Sequence, residues 1–198
     1  MALGKTTKLE AVNTMLGFIG EAPLASLEEA TGVGDAPMAE KVLDEISREV
    51  QSQGWHFNTE YDVTFTPDGS NNIVFSDTVV RVDVSVSRYP NVDVVLKGQK
   101  LYNRSDHTYE FDEELKGETV TLLDWDTLPE PARRYINLRA ARVLQDRQVG
   151  AEGLTQIGIR EEMAALASLR EFDSNTEDAS VFDSYLPAAT VMSYRRYT

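Results

Sequence analysis

The stretch QSQGWHFNTE, residues 51–60, decides the fold, because the spacing of apolar residues changes there from that of a helix to that of a strand. Ahead of it Pro37 can occupy a first helical turn. The apolar residues that follow recur every four positions: Met38, Val42, Ile46 and Val50. Gly54 can take the left-handed conformation that ends a helix. From Trp55 to Phe65 apolar residues alternate with polar ones, which predicts a half-buried strand. The stretch is therefore the predicted junction between a helical and a β region.

Capping residues predict where the first two helices begin. Thr7 and Glu10 have the spacing of a capping box, in which each side chain accepts a hydrogen bond from a main-chain N–H of the first turn. This predicts a helix over about residues 7–19. Asp35 is the expected cap of the second helix.

Two more helices are predicted near the other end of the chain. Pro131 lies in the first turn of a long helical pattern that extends to about Val149. Gly150 and Gly153 are expected to separate it from a last helix that reaches about Phe172.

The segment between the two helical regions has the alternation and turn residues of a continuing antiparallel sheet. A hairpin is expected around Gly98, a short strand over residues 108–111 and a last strand in ETVTLL, residues 118–123. Another strand is predicted by valines that alternate with polar residues: Val80, Val82, Val84 and Val86.

These elements predict an α+β protein with three parts. Residues 1–54 and 127–172 are expected to form an antiparallel four-helix bundle, since terminal helices on either side of a contiguous sheet pack together most simply. Residues 55–126 are expected to be an inserted antiparallel β-domain. Residues 173–198 lack a period long enough for a core of their own, which predicts an extended C-terminal tail.

Composition excludes several classes of protein and site. The chain has 198 residues and no cysteine, so a disulfide framework, a thiolate zinc site and a cysteine nucleophile are excluded, and a reducing cytosol suits it. No apolar run is long enough to span a membrane, and the first residues lack the pattern of a signal peptide. The net charge of −14 argues against broad DNA binding. Phosphate-loop, nucleophile-elbow and zinc-helix motifs are absent, and no cofactor is predicted.

Two acidic segments raise the alternative of an enzyme. Asp124 and Asp126 flank Trp125, as acid, base and stacking groups do in some glycoside hydrolases, although carboxylates just before a helix more often stabilise its first turn. His107 lies among Asp106, Glu110, Asp112, Glu113 and Glu114 without a ligand spacing typical of a metal site, so a solvated acidic loop is favoured. A glycan-degrading or glycan-binding function of the β-domain and a monomeric host-factor-binding module both remain alternatives.

The helix after Pro131 has apolar residues on two faces. One apolar face consists of Ile136, Ala140, Val143 and Leu144. Tyr135 and Leu138 are expected to project from the opposite side, among arginines. Packing within the bundle on one side and against a neighbouring subunit on the other accounts for both faces. The alternative is that the sheet covers the second face. This helix carries five arginines, whereas residues 101–126 carry eight acidic residues. Opposite charge on two parts of one chain favours head-to-tail association in a ring.

Four segments carry a resemblance to a known family: AVNTMLGFIGEAPLASLEE, VLDEISREVQSQGWHFNTE, IVFSD and WDTLPEPARRYINLRAARVLQDRQVGAEG. In this order and spacing the chain resembles the tail tubular protein A family, the head-to-tail adaptors of short-tailed podovirus phages. The resemblance spans roughly residues 8–165. It implies a virion tail protein made in the host cytoplasm, with no enzymatic activity and no membrane span. It also implies a ring of twelve copies between the portal protein and the tail nozzle protein, with DNA passing through the centre.

We therefore expect protein contacts instead of catalytic ones from the arginine-bearing helix and from the aromatic and basic end of the tail. The predicted portal or subunit interface consists of Arg134, Tyr135, Leu138, Arg139, Arg142, Tyr185, Leu186, Tyr194, Arg195, Arg196 and Tyr197.

Overall fold

The computed structural model describes residues 4–28, 34–85, 87–150 and 152–176, with the backbone alone for 152–155. The chain is an α+β protein in which five strands lie in sequence between two pairs of helices. The helices are α1 Lys8–Phe18, α2 Ala36–Gln51, α3 Glu130–Gln148 and α4 Glu152–Thr176. The strands are β1 Thr59–Phe65, β2 Val79–Val84, β3 Val94–Lys97, β4 Lys100–Asn103 and β5 Leu115–Thr121. The predicted order of elements is confirmed.

The capping box of α1 is confirmed. Thr7 Oγ1 accepts a hydrogen bond from the Glu10 N–H at 3.2 Å, and Glu10 Oε2 accepts one from the Thr7 N–H at 2.7 Å. The main-chain bond from Thr7, followed by the bond from its hydroxyl, lowers the pKa of the Glu10 carboxyl.

The start of α2 differs from its prediction in two side chains. Pro37 lies in the first turn as expected, but Asp35 makes no side-chain capping bond, because its carboxylate accepts a hydrogen bond from the Gln148 amide at 3.0 Å instead. Met38 is 46% exposed and does not belong to the buried face formed by Val42, Ile46 and Val50. Its sulfur lies 3.1 Å from the Gln148 amide nitrogen, at the solvent-exposed end of α3.

Helix α3 is the centre of the helical packing, because α1, α2 and α4 all contact it. Its buried side chains join a large apolar core with those of the other helices. The largest of its fully buried side chains are Val12, Met15, Leu16, Val42, Leu43, Val50, Leu128, Ile136, Leu144 and Leu169.

Helix α4 is longer than the sequence predicts. Gly150, with φ of +63°, does separate it from α3, but Gly153 lies inside α4, which continues past Phe172 to Thr176. Phe172 packs against the helical core and Asp173 Oδ1 accepts a hydrogen bond from the His56 N–H at 2.8 Å, so both hold the last turn in place. The first four residues of the predicted extended tail are therefore helical, and residues 177–198 lie outside the described residues.

The strands form two antiparallel sheets instead of the single sheet expected. One sheet has the order β1-β5-β2, and β3 pairs with β4 in the predicted hairpin around Gly98. Residues 108–111 are not a strand, because they contribute only isolated bridges from Thr108 to Asn103 and from Glu110 to Asn72. A second apolar core lies within this region: Phe65, Ile73, Val82, Val84, Val94, Leu101, Phe111 and Leu115.

Two bulges interrupt the strict alternation predicted for β1 and β2. The register of β1 against β5 shifts between Glu60 and Val63, where Asp62 has φ of +54° and Tyr61 is 56% exposed. The register of β2 shifts next to Val80, which is consequently exposed. Strand β1 also begins only after a short 3-10 turn at His56–Asn58.

Two buried amide side chains form the junction around which the fold changes. Gly54, with φ of +77°, reverses the chain after α2. Gln51 Oε1 then accepts a hydrogen bond from the Leu123 N–H at 2.7 Å, and its Nε2 donates to the Leu123 carbonyl. Asn58 accepts from the Trp55 N–H at 2.9 Å and donates to the carbonyls of Gln51 and Thr121 at 2.9 and 3.0 Å. The end of α2 and the end of β5 are thereby bonded to each other.

We predict that Asn58→Ala lowers the free energy of unfolding by about 2–3 kcal/mol, because it leaves buried main-chain groups without hydrogen-bond partners. Urea unfolding followed by circular dichroism measures the change. Asn91→Ala, on an exposed turn, is the matched control and should change stability by less than about 0.5 kcal/mol. Equal stability of the two variants would contradict the role given to the amide junction.

Candidate interaction site

The arginines of α3 differ in their partners. Four of them bind carboxylates or main-chain carbonyls of the same chain, whereas Arg134 forms no ion pair with another described residue. Arg133 is 3% exposed and donates to the main-chain carbonyls of Thr6, Asp126 and Leu128. It fixes the segment before α1 to the start of α3. Sequence reasoning missed this residue, because main-chain acceptors leave no trace in the residue types around it.

Arg139 and Arg142 share one carboxylate on α4. Glu162, whose side chain is 12% exposed, accepts from Arg139 Nη1 at 3.2 Å and from Arg142 Nε at 2.5 Å. Arg139 also reaches Glu49 on α2 at 2.6 Å, and Arg142 reaches Asp146 at 3.0 Å. The cluster of these residues, called the Glu162 clamp below, joins three helices through charge-assisted hydrogen bonds.

The acidic partners perturb the arginines of the Glu162 clamp. Burial disfavours the charge on Arg139, but the hydrogen bond to the Tyr135 hydroxyl and the nearby Glu49 and Glu162 carboxylates outweigh it and raise its pKa. The hydrogen bond to Glu162 is the main reason why the pKa of Arg142 is raised. Both guanidinium groups therefore stay charged while partly buried.

Helix α4 covers the face of α3 that sequence reasoning assigned to a neighbouring subunit or to the sheet. Tyr135 is 2% exposed, with its ring in the helical core instead of projecting outward, and Leu138 packs against the same core. Gly158 of α4 lies so close to Arg142 that an added Cβ would meet its side chain at 3.3 Å. Of the α3 residues predicted for an interface, Arg134 is left exposed and forms no ion pair with another described residue.

The other predicted interface residues belong to the C-terminal segment. They lie outside the described residues, so their role stays a prediction: Tyr185, Leu186, Tyr194, Arg195, Arg196 and Tyr197.

Large apolar side chains remain exposed in two places on the helical region. Met38 and Val149, which are 46% and 48% exposed, lie where α2 begins and α3 ends. Ile157 and Met163 of α4 are 57% and 66% exposed. Exposed apolar groups of this size on a protein with filled cores mark candidate contact surfaces.

The candidate catalytic and metal residues are not gathered into a site. Asp124 and Asp126 are exposed, and their main-chain carbonyls accept bonds from Thr127 and Arg133 while Trp125 donates to the Thr6 carbonyl. Within the described ranges no three histidine or carboxylate side chains are close enough to hold a metal ion.

An open groove of about 460 Å³ lies on the three-stranded sheet beside the β1 bulge. Its charged lining mixes both signs: Asp62, Asp83, Arg88, Lys116 and Glu118. Arg88 lies 3.3 Å from Asp62, so two of these groups already bind each other. Among the described helices, none has both the length and the apolar character that crossing a bilayer requires.

Comparison with known proteins gives two matches. The model of the tail tubular protein family matches residues 9–179, a range that runs from the second residue of α1 past the end of α4 and includes the five described strands. Tail tubular protein A of Klebsiella phage KP34 is 29% identical over 138 residues, which cover 69% of this chain and 70% of that relative.

We predict that Glu162→Ala lowers the free energy of unfolding by about 2–3 kcal/mol, because two partly buried guanidinium groups lose a shared partner. Denaturant unfolding measures this, and hydrogen exchange should show increased opening of α4. Glu161→Ala removes the exposed carboxylate next in sequence and serves as the control. Equal effects of the two substitutions would show that the clamp does not hold α4.

Proposed function

The chain belongs to the tail tubular protein family, and on this premise we propose that it is a structural virion protein, the head-to-tail adaptor of a short-tailed phage. In this role, about twelve copies form a ring between the portal protein and the tail nozzle protein, and DNA leaves the head through its centre. The protein is made in the host cytoplasm and has no catalytic role. The family match over residues 9–179 is the observation that carries the proposal.

The architecture supports a role in which each part of the chain has its own contacts. We propose that α1–α4 act as one four-helix bundle and that the strands between them act as an inserted β-domain. Each region has its own apolar core, so neither needs a partner to fold. Met38 and Val149 remain exposed at one end of the helical region, where a neighbouring subunit would bury them.

Net charge supports a channel through which DNA slides. Twelve copies with a charge of −14 each would carry about −168 in total, a sign that repels phosphate instead of binding it. The acidic segment of residues 101–126 is exposed at Glu110, Asp112 and Glu113.

The proposed protein contacts use arginine and aromatic side chains. Arg134 is exposed and without an ionic partner among the described residues, which suits a contact with an acidic surface of the next subunit. The other predicted residues of α3 would support this interface indirectly. Tyr135 and Leu138 pack in the helical core, and Arg139 and Arg142 bind Glu162 of α4. The tail from Leu186 to Tyr197 is proposed as the portal anchor.

We expect the purified protein to form rings, or to assemble in many copies on an isolated portal ring, as native mass spectrometry with and without the portal would show. Removal of residues 186–198 should abolish portal docking and leave the far-ultraviolet circular dichroism nearly unchanged, because it keeps every described residue of the two cores. A stable monomer that ignores the portal would contradict the adaptor function. In that case turnover of glycans, and its loss in Asp124→Asn, would be measured next.

We predict that Arg134→Glu raises the subunit concentration needed for ring assembly about tenfold, the effect of losing about 1.4 kcal/mol at each contact. Light scattering over a dilution series measures this concentration. Arg48→Glu makes the same charge change at an exposed position of α2 and should leave assembly nearly unchanged. Equal shifts in the two variants would mean that net charge, and not a contact of Arg134, governs assembly.

A further inference from the structure

A shallow groove of about 450 Å³ lies on the outer face of the β3–β4 hairpin. Side chains alternate between the two faces of each strand, and Val94, Leu101 and Asn103 are buried on the inner face. On the outer face, the charged and polar residues that line the groove are Asp93, Lys97, Tyr102, Arg104, Ser105 and His107. This groove is called the hairpin groove below. Its lining holds two basic residues and one carboxylate, whereas the groove beside the β1 bulge holds two basic residues and three carboxylates.

Lys97 supplies the first cation of the hairpin groove. Its Nζ lies 3.3 Å from the centre of the Tyr102 ring, in a cation–π contact. The edge of this ring is packed against Tyr109, with the ring centres 4.9 Å apart and the ring planes at 61°. Lys97 forms no ion pair with a carboxylate among the described residues. The aromatic ring therefore positions the ammonium group without neutralising its charge.

Arg104 supplies the second cation. Arg104 and Tyr102 are two positions apart on the same face, about 7 Å along the chain. Arg104 Nη1 lies 3.5 Å from Asp93 Oδ2, which is longer than an ordinary hydrogen bond, and the two side chains are 62% and 55% exposed. An exposed ion pair at this distance is weak. Asp93 therefore lowers the positive charge of the hairpin groove, but it leaves most N–H donors of the guanidinium group available to a ligand.

The turn after β4 is held by one buried side chain. Asn103, which is 5% exposed, accepts a hydrogen bond from the Ser105 N–H and donates one to the Asp106 carboxylate, both at 2.9 Å. Its main chain pairs with Thr108 at 2.8 and 3.2 Å. These bonds hold the Asp106 carboxylate at Asn103, and Asp106 is not part of the lining. Ser105 and His107, whose side chains can each donate a hydrogen bond, line the groove from this fixed turn.

This set of groups favours an anion with several acceptor oxygens. Ammonium and guanidinium groups only donate hydrogen bonds, and a guanidinium group can bind two oxygens of one phosphate. The groove is also larger than a phosphate ion, and the rings of Tyr102 and Tyr109 offer aromatic surface to a sugar or a base. Cations combined with aromatic rings are typical of surfaces that bind nucleic acid. The chemistry therefore favours the backbone of a nucleic acid over a peptide that carries only carboxylates.

We propose that the hairpin groove binds two neighbouring phosphates of a nucleic-acid backbone, one at Lys97 and one at Arg104. The segment that follows Tyr109 is exposed at Glu110 and Asp112, and these carboxylates repel any longer stretch of backbone. The contact is consequently short, weak and independent of base sequence. It is a local exception to the negative charge of the chain. That the DNA of the tail supplies these phosphates rests on the proposed function, whereas the binding itself is a property of the subunit.

The salt dependence of binding counts the phosphates that are contacted. A DNA duplex of about twelve base pairs is titrated into the full-length protein, labelled with a dye at its α-amino group, and microscale thermophoresis follows binding. Two phosphate contacts predict a slope of about −1.8 for log K against log salt concentration, or about a twelvefold loss of affinity between about 50 and 200 mM salt. Lys97→Gln and Arg104→Gln should each weaken binding and reduce the slope to about −0.9.

Two further variants separate the hairpin groove from net charge. Lys116→Gln removes the same charge from an exposed position of β5 outside this groove, so the slope should stay near about −1.8. Tyr102→Leu keeps both cations but removes the ring that positions Lys97, so binding should weaken about threefold with the slope unchanged. Circular dichroism checks that each variant is folded. The same slope in Lys97→Gln, Arg104→Gln and Lys116→Gln would overturn the proposal.

Two other ligands test the identity of the anion. Inorganic phosphate that binds as tightly as the duplex would assign the hairpin groove to free phosphate. A peptide of glutamates that binds more tightly than the duplex, and depends on Lys97 and Arg104, would assign it to an acidic protein segment. Either result would overturn the nucleic-acid proposal. Because no ring or portal is needed in these titrations, the proposal can fail while the adaptor function stands, and the reverse also holds.

Discussion

The fold depends on hydrogen bonds from two buried amide side chains, Gln51 and Asn58, where the last turn of α2 meets the end of β5. Each side chain acts as donor and acceptor at once, so a single change of residue type leaves main-chain groups unsatisfied on both sides of the junction. These bonds join α2, which contributes Val50 to the helical core, to the end of β5, which contributes Leu115 to the second core. Hydrogen bonds of this kind are directional, so they constrain the geometry of the junction.

Much of the fold follows from local sequence. The capping box at Thr7, the helix stop at Gly54 and the hairpin at Gly98 were all predicted, because each depends on conformational preferences within a few residues. The bulge at Tyr61 and Asp62 was not, since a register shift depends on which strand lies opposite and not on the alternation of the strand itself. The division into two sheets escaped prediction for the same reason.

The candidate site was harder to predict than the fold. Sequence reasoning found the arginines of α3 but not their partner Glu162, which lies 23 residues from Arg139 and 20 from Arg142 on another helix. It also placed Tyr135 on an outer face, although the structure buries this residue in the helical core. Residue type shows that a helix has too many functional groups for one face, but only tertiary packing decides which of them stay at the surface. Of the five α3 residues predicted for an interface, Arg134 is the one that the structure leaves exposed.

Asp173 gives the end of α4 a connection that sequence distance conceals. Its carboxylate holds the main-chain N–H of His56, 117 residues earlier in the chain, at the turn that leads into β1. Thr176, the last residue of α4, is only three positions further along the chain. Displacing the last turn of α4 would therefore break a bond at the turn that leads into β1, so the end of the last described helix and the start of the first strand are coupled.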